Sequence, residues 1–292
     1  MRIVFTLGIA AMCAVSFAQF SDNFESETGS SGGTLLTTGF GGGGQNGWYN
    51  PVSGSLDESV YTYASNALTV VGNATGGNQF AGAASANAAT PFRAQHAVTF
   101  SSSGIWTMAV DFNFNFSGIP PVANNLGSIS LQPSTTNNAF QTLYAYNNAN
   151  LAAPTGYQAL FGFASATGGP LTLQTAPADP NWDNLIFNHW YRQTVTWDAA
   201  SNQITQTTLR DMTANGSTFT LNPTGWYLTG GANNVLAQSL ATDVRLFVSG
   251  GNANSTNLGG YDNFSVTPVP EPASMAILGM GALALIRRRR KA

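Results

Sequence analysis

Acid–base chemistry needs carboxylates, histidines or thiols that face one another. Retaining glycoside hydrolysis takes two carboxyl groups ~5 Å apart. Glu25, Glu27, Glu58 and Glu271 offer no such spacing: the first two share an early loop and the last lies between prolines. His96 and His189 are far apart in the chain, and the only cysteine is Cys13. Spacing therefore signals neither a metal cluster nor a nucleophile–base pair. His189 and Arg192 are close enough for lyase chemistry, but neighbours along a strand more often form a surface hydrogen-bond cluster. The expectation is a protein without catalytic residues, with a polysaccharide hydrolase or lyase as the alternative.

Sugar binding would use other residues. A pyranose face stacks on Trp or Tyr while amides bond its hydroxyls. Trp48-Tyr49 follows Gly47 and precedes Asn50-Pro51, and Trp226-Tyr227 follows Asn222-Pro223-Thr224-Gly225. Both pairs fall in or beside loops, where they either form a sugar platform or cap the sheet core. Between residues 19 and 272 only Arg93, Arg192, Arg210 and Arg245 face thirteen carboxylates, with no lysine, a balance that repels phosphate backbones and excludes nucleic acid as partner.

The chain around these residues reads as strands. Trp106, Met108, Val110, Phe112, Phe114 and Phe116 alternate with smaller or polar residues, which predicts one long central strand with its even-numbered side chains buried. Further strands are expected over 60–63, 67–71, 96–100, 128–132, 140–146, 157–163, 171–175, 190–197, 203–210, 217–221, 243–249 and 260–266, with Asn215-Gly216 as a hairpin turn. The stretches 39–47 and 72–90, rich in small residues, read as loops, and 233–241 as two helical turns. A dozen strands without helix–strand alternation imply an all-β fold, two antiparallel sheets packed as a sandwich. Thirty-two glycines and 33 aromatic side chains in 292 residues suit loops around a large core.

Both ends read as addresses. Met1-Arg2, the apolar run 3–17 and small residues at Ser16 and Ala18 predict a secretory signal peptide over 1–18, cut between Ala18 and Gln19 by signal peptidase. Export removes Cys13, so the mature protein relies on core and sheet rather than on disulfides. At the other end come Val269-Pro270-Glu271-Pro272, an apolar run 273–286, and Arg287, Arg288, Arg289, Arg290 and Lys291. This tripartite tail (269–292) closely resembles the PEP-CTERM sorting signal of exopolysaccharide-associated surface proteins, and the resemblance implies an exosortase as partner. As a helix the 14-residue run would span ~21 Å against a ~30 Å hydrocarbon core, with the arginines on the cytoplasmic side. Transient inner-membrane association is expected, the tail being either cut there or retained as an ordinary anchor.

A second resemblance concerns residues 19–268. The segment His189 to Asp198 with Gln203-Ile204-Thr205 is similar to the late hairpin of concanavalin A-like, laminin-G-like jelly rolls, and Gly260 to Val266 to their last strand, with Asp22-Asn23-Phe24 near the first. In that family first and last strands pair, which would bring the two Asp-Asn-Phe tripeptides together. Asp22 and Asp262 could then supply hard oxygen ligands, making calcium the one cofactor to consider. Glycosidases of that fold carry Glu-x-Asp-x-x-Glu on one strand; this sequence does not. The function expected is a binding or structural module associated with extracellular polysaccharide, at the cell surface or matrix of a Gram-negative-type bacterium.

Overall fold

A computed structural model describes residues 20–85, 90–98, 103–118, 125–132, 138–146, 156–166, 171–175, 179–229, 243–251 and 255–269. The signal-peptide segment with its Ala18/Gln19 junction, the helical turns expected at 233–241 and the tail from Pro270 onward lie outside them.

Among the described residues two sheets of nine strands each are formed. The first runs β16 (Thr218–Leu221), β15 (Gln203–Asp211), β14 (Tyr191–Asp198), β8 (Ile105–Gly118), β18 (Ser255–Val269), β6 (Gln79–Ser85), β5 (Ser59–Thr62) and β2 (Thr34–Leu35), with β1 (Phe20–Asp22) also on β18. The second runs β12 (Thr172–Thr175), β11 (Gly156–Phe163), β10 (Phe140–Tyr146), β9 (Asn125–Gln132), β17 (Asp243–Val248), β7 (Phe92–Ala97) and β3 (Trp48–Tyr49), with β13 (Leu185–Ile186) on β11 and β4 (Leu56–Asp57) on β7. All pairings are antiparallel except β4 with β7. First and last strands pair as the jelly-roll resemblance implies, with Phe20 opposite Val266 and Asp22 opposite Phe264.

Between the sheets lies one aromatic core. β8 contributes Trp106, Met108, Val110, Phe112 and Phe114, all buried, with Phe116 half-buried. The second sheet answers with Tyr144, Tyr157, Phe161, Val244 and Leu246, and the Phe112 and Tyr144 rings approach to 4.2 Å. Fully burying such a side chain contributes about 1.5–3 kcal/mol, so the alternation in β8 is enough to decide which face turns inward.

Between β8's apolar residues, Asp111 and Asn113 are also fully buried. The segment 62–78 folds over that face and closes a smaller core of Tyr61, Leu68, Val70, Phe80, Trp190, Met212 and Leu258. That segment includes the strand expected at 67–71, which is irregular here. Conversely, residues 79–85 of the expected loop form β6 beside β18. Small residues are required there, since a Cβ on Gly82 would lie 2.5 Å from the Gly259 carbonyl oxygen. β7 also begins earlier than expected, at Phe92.

Candidate functional site

β7 and β17 run antiparallel, with Arg245 opposite Gln95 and Phe247 opposite Arg93. Val244, Leu246 and Val248 face the core, so Arg245 and Phe247 turn to the outer face of the second sheet. β9 lies on the other side of β17, pairing Ser130 with Arg245 and Ser128 with Phe247. The result is a cleft of about 170 Å³ lined by Arg93, Ser128, Ser130, Asn138, Gln141, Arg245 and Phe247. Ser128, Ser130 and Arg245 are its buried floor; Arg93, Asn138, Gln141 and Phe247 are its half-buried rim. A buried floor of hydroxyls and a guanidinium is unlike a packing face, because buried polar groups require partners.

The cleft is part of a longer polar strip. Arg245 Nε donates to Gln95 Oε1 at 2.8 Å, Gln95 Nε2 donates to the Tyr49 hydroxyl at 2.9 Å, and that hydroxyl donates to Asp243 at 3.0 Å. Burial, with Asp243 beside it, pushes the Tyr49 phenol up to about 12. Burial also draws Arg245 down to about 10, helped by the neighbouring Arg93 and opposed by Tyr49 and Asp243. Arg93 is lowered by burial as well. It donates to the Ser55 hydroxyl and lies 5.1 Å over the Phe247 ring, a cation–π contact that orients it. The strip can offer hydrogen bonds and positive charge to an oxygen-rich ligand; it holds no pair of facing carboxyl groups.

The residues singled out in the sequence are distributed otherwise. Of the first aromatic pair, Tyr49 stands at the end of this strip. Trp48 is fully enclosed among Phe20, Phe24, His96 and Phe264, with Nε1 donating to Asp22 at 2.7 Å, so no face of its ring is open. Trp226 stacks on Phe163 at 4.1 Å and is nine-tenths buried, while Tyr227 bridges Ala164 and Gln203 through its backbone. The two Trp-Tyr pairs thus sit in separate aromatic clusters. His189 and Arg192 also part company: His189 Nδ1 is 2.8 Å from Asp211, and Arg192 grips Asp111 with Nε and Nη2 at 2.6 and 2.8 Å.

Asp22 and Asp262 turn to opposite sides of their sheet. Asp22, opposite the core residue Phe264, accepts from the Phe24 amide at 2.8 Å, Trp48 Nε1 and Asn46 Nδ2. Its oxygens are met by N–H groups, whose positive ends point where a cation would have to sit. Asp262 faces the covering segment and accepts from the Tyr63 hydroxyl at 2.8 Å, Asn73 Nδ2 at 3.3 Å and the Asn263 amide at 2.7 Å. Burial raises its carboxyl to about 7, and nearby Asp111 adds to the rise. Among the described residues no group of three or more His, Asp or Glu is arranged to hold a metal ion. A β-bulge between Asp262 and Ser265, with Asn263 at φ 48°, lets Asp262 and Asn263 both reach the outer-face cluster, Asn263 Nδ2 donating to Asp111 at 2.9 Å. The Asp-Asn-Phe repeats are thereby accounted for as an Asx turn and a bulge.

Residues 268–291 match the PEP-CTERM protein-sorting motif. The chain therefore carries the tail that marks an exported protein for recognition by an exosortase and sorting to the surface of Gram-negative-type bacteria. The match covers the end of β18 and the tail and says nothing of the sandwich. No curated protein matches the chain. Among solved structures it is similar to an alginate lyase from Aplysia kurodai (7% identity, 67% of this chain and 85% of that one, TM-score 0.40). It is also similar to an endo-β-1,4-glucuronan lyase from Trichoderma reesei (13%, 77% and 92%, 0.40) and to the CBM2 module of an evolved Dit of Lactobacillus casei BL23 phage J-1 (12%, 87% and 97%, 0.39). At these values the likenesses add nothing to the fold read from strand pairing and assign no activity.

Sequence reasoning missed the cleft. Its one signal was Arg245, a charge set among the apolar residues Val244, Leu246, Phe247 and Val248.

Proposed function

We propose that this chain is a non-catalytic surface module that associates with extracellular polysaccharide through the outer face of its second sheet. The observation that carries the reading is the cleft floored by Ser128, Ser130 and Arg245 and continued by Gln95 to Tyr49: hydroxyl, amide and guanidinium groups in a line suit a chain of sugar hydroxyls. Residues 1–18 act as its signal peptide, cut by signal peptidase, and the tail holds it in the inner membrane until an exosortase cuts near Pro270-Glu271-Pro272. Support for a non-catalytic role comes from the same geometry. The Tyr49 phenol, held at about 12, is a poor base at neutral pH, and among the described contacts the strip's carboxylate partner is Asp243. A glycan array probed with the full chain tests the reading. Binding that weakens on replacing Gln95 or Gln141 supports it; no binding to any polysaccharide, or release of shortened products, refutes it.

A further inference from the structure

We infer that the ligand of this cleft is an acidic glycan, a polyuronate, whose carboxylate is received at the rim by the Arg93 guanidinium, with Arg245 in the floor adding positive charge; this deepens the glycan-binding reading and rests on it. Only four arginines serve the whole sandwich. Arg192 is spent on Asp111, and Arg210 closes its own hairpin by donating to the Gly216 carbonyl at 3.0 Å and to Asn215 at 2.7 Å. The other two lie 152 positions apart in the chain and become diagonal neighbours through the pairing of β7 with β17.

Placing two like charges side by side in a partly buried cleft is unfavourable unless something answers them. The lining offers hydroxyls, amides and one ring, and no carboxylate. Asp243 acts on Arg245 from the Tyr49 side and already accepts the Tyr49 hydroxyl. Arg93 has no carboxylate partner among the described residues; its contacts are the Ser55 hydroxyl and the Phe247 ring. That pairing fixes the guanidinium at the rim with its remaining donors available.

Guanidinium forks match a carboxylate in two parallel hydrogen bonds, which a neutral sugar cannot exploit. The cleft volume, about 170 Å³, is roughly that of five or six waters. It admits one carboxylate with part of its ring while the rest of the polymer runs along the strip. The protein as a whole is acidic, but that field fades beyond ~8 Å at physiological salt, so the local arginine pair governs docking.

The test uses the full chain in detergent, with polygalacturonate, its carboxyl-reduced neutral counterpart and dextran sulfate as probes. Polygalacturonate should bind at least about tenfold more tightly than the neutral polymer, and weaken as salt rises. Arg93→Gln should remove that advantage, whereas Arg210→Gln should not. Arg93 sits at the rim, and an unchanged thermal unfolding profile of its variant separates lost contact from lost fold. Equal binding of the acidic and neutral polymers overturns the acidic inference and leaves the glycan-binding reading standing. Preference for dextran sulfate over polygalacturonate overturns the carboxylate assignment. Absence of binding to all three polymers sinks this inference, and the array above then decides whether any glycan reading survives.

Discussion

Glu58 is a carboxyl group in surroundings that do not solvate it, and its burial makes the stability of the fold depend on pH. It lies between β4 and β5, fully buried, and neither carboxyl oxygen has a hydrogen-bond partner. Tyr261 and Tyr61 are its titratable neighbours. Burial alone raises its pKa from 4.5 to about 8, so the folded protein holds it protonated at neutral pH. The unfolded chain releases that proton above its ordinary value. Because the folded pKa is the higher one, the stabilising state is complete below pH 4.5 and is lost as pH rises to about 8, above which the curve is flat. Each pH unit in that window is worth about 1.4 kcal/mol, which gives on the order of 5 kcal/mol across it. Glu58→Met removes the titration and keeps the volume, so the variant should lose less stability than the parent between pH 5 and pH 8.5 and be the more stable of the two at the upper end. Urea unfolding of both proteins at pH 5, 7 and 8.5 reads this directly, and Asp262, also raised, contributes equally to both and cancels. Parallel pH profiles for parent and variant would mean that Glu58 is not held protonated in the fold.

Asp22→Ala strands the buried Trp48 indole N–H and the Phe24 amide, and should cost about 2–5 kcal/mol in denaturant unfolding; Asp22→Asn, which keeps one acceptor, should cost less. Gly127→Ala drives a Cβ to 2.4 Å from the Phe114 ring and the Phe247 carbonyl, and should lower the thermal midpoint more than alanine at Gly54, where φ is +82° but nothing lies within 4 Å. Replacing Arg287 to Lys291 with glutamine should weaken retention in the inner membrane, and mass spectrometry of surface-associated protein should find the chain ending near Pro270 in cells that possess an exosortase; an intact tail there refutes processing.

The parts of the fold legible in the sequence are those decided by one strand at a time. β8 announced itself because five buried aromatic and aliphatic groups recur every second residue, and β10, β14 and β15 did so for the same reason. β6 did not, because Ala-Gly-Ala-Ala carries no period: its small residues answer to the glycines of β18 some 180 positions away. The strand expected at 67–71 is absent for a related reason. Leu68 and Val70 are strand-like in sequence, yet they are buried by resting on a face already paired on both sides, where no further ladder can form.

The candidate site follows the same rule. A motif in sequence reports residues that act together because they are close along the chain, as the arginine cluster and the Pro-Glu-Pro of the tail do. The cleft is assembled from β7, β9, β10 and β17, and its two arginines, its serines and Gln141 become neighbours only through antiparallel registers. Each strand contributes one or two polar residues at outward positions, which taken singly look like ordinary solvent-facing residues. What distinguishes them is their burial: Ser128, Ser130, Gln95 and Arg245 are at most 8% exposed although they face away from the core. Polar side chains kept from solvent on the outer face of a sheet are what the proposed site rests on, and no reading of composition or periodicity separates them from an exposed face until the neighbouring strands are in place.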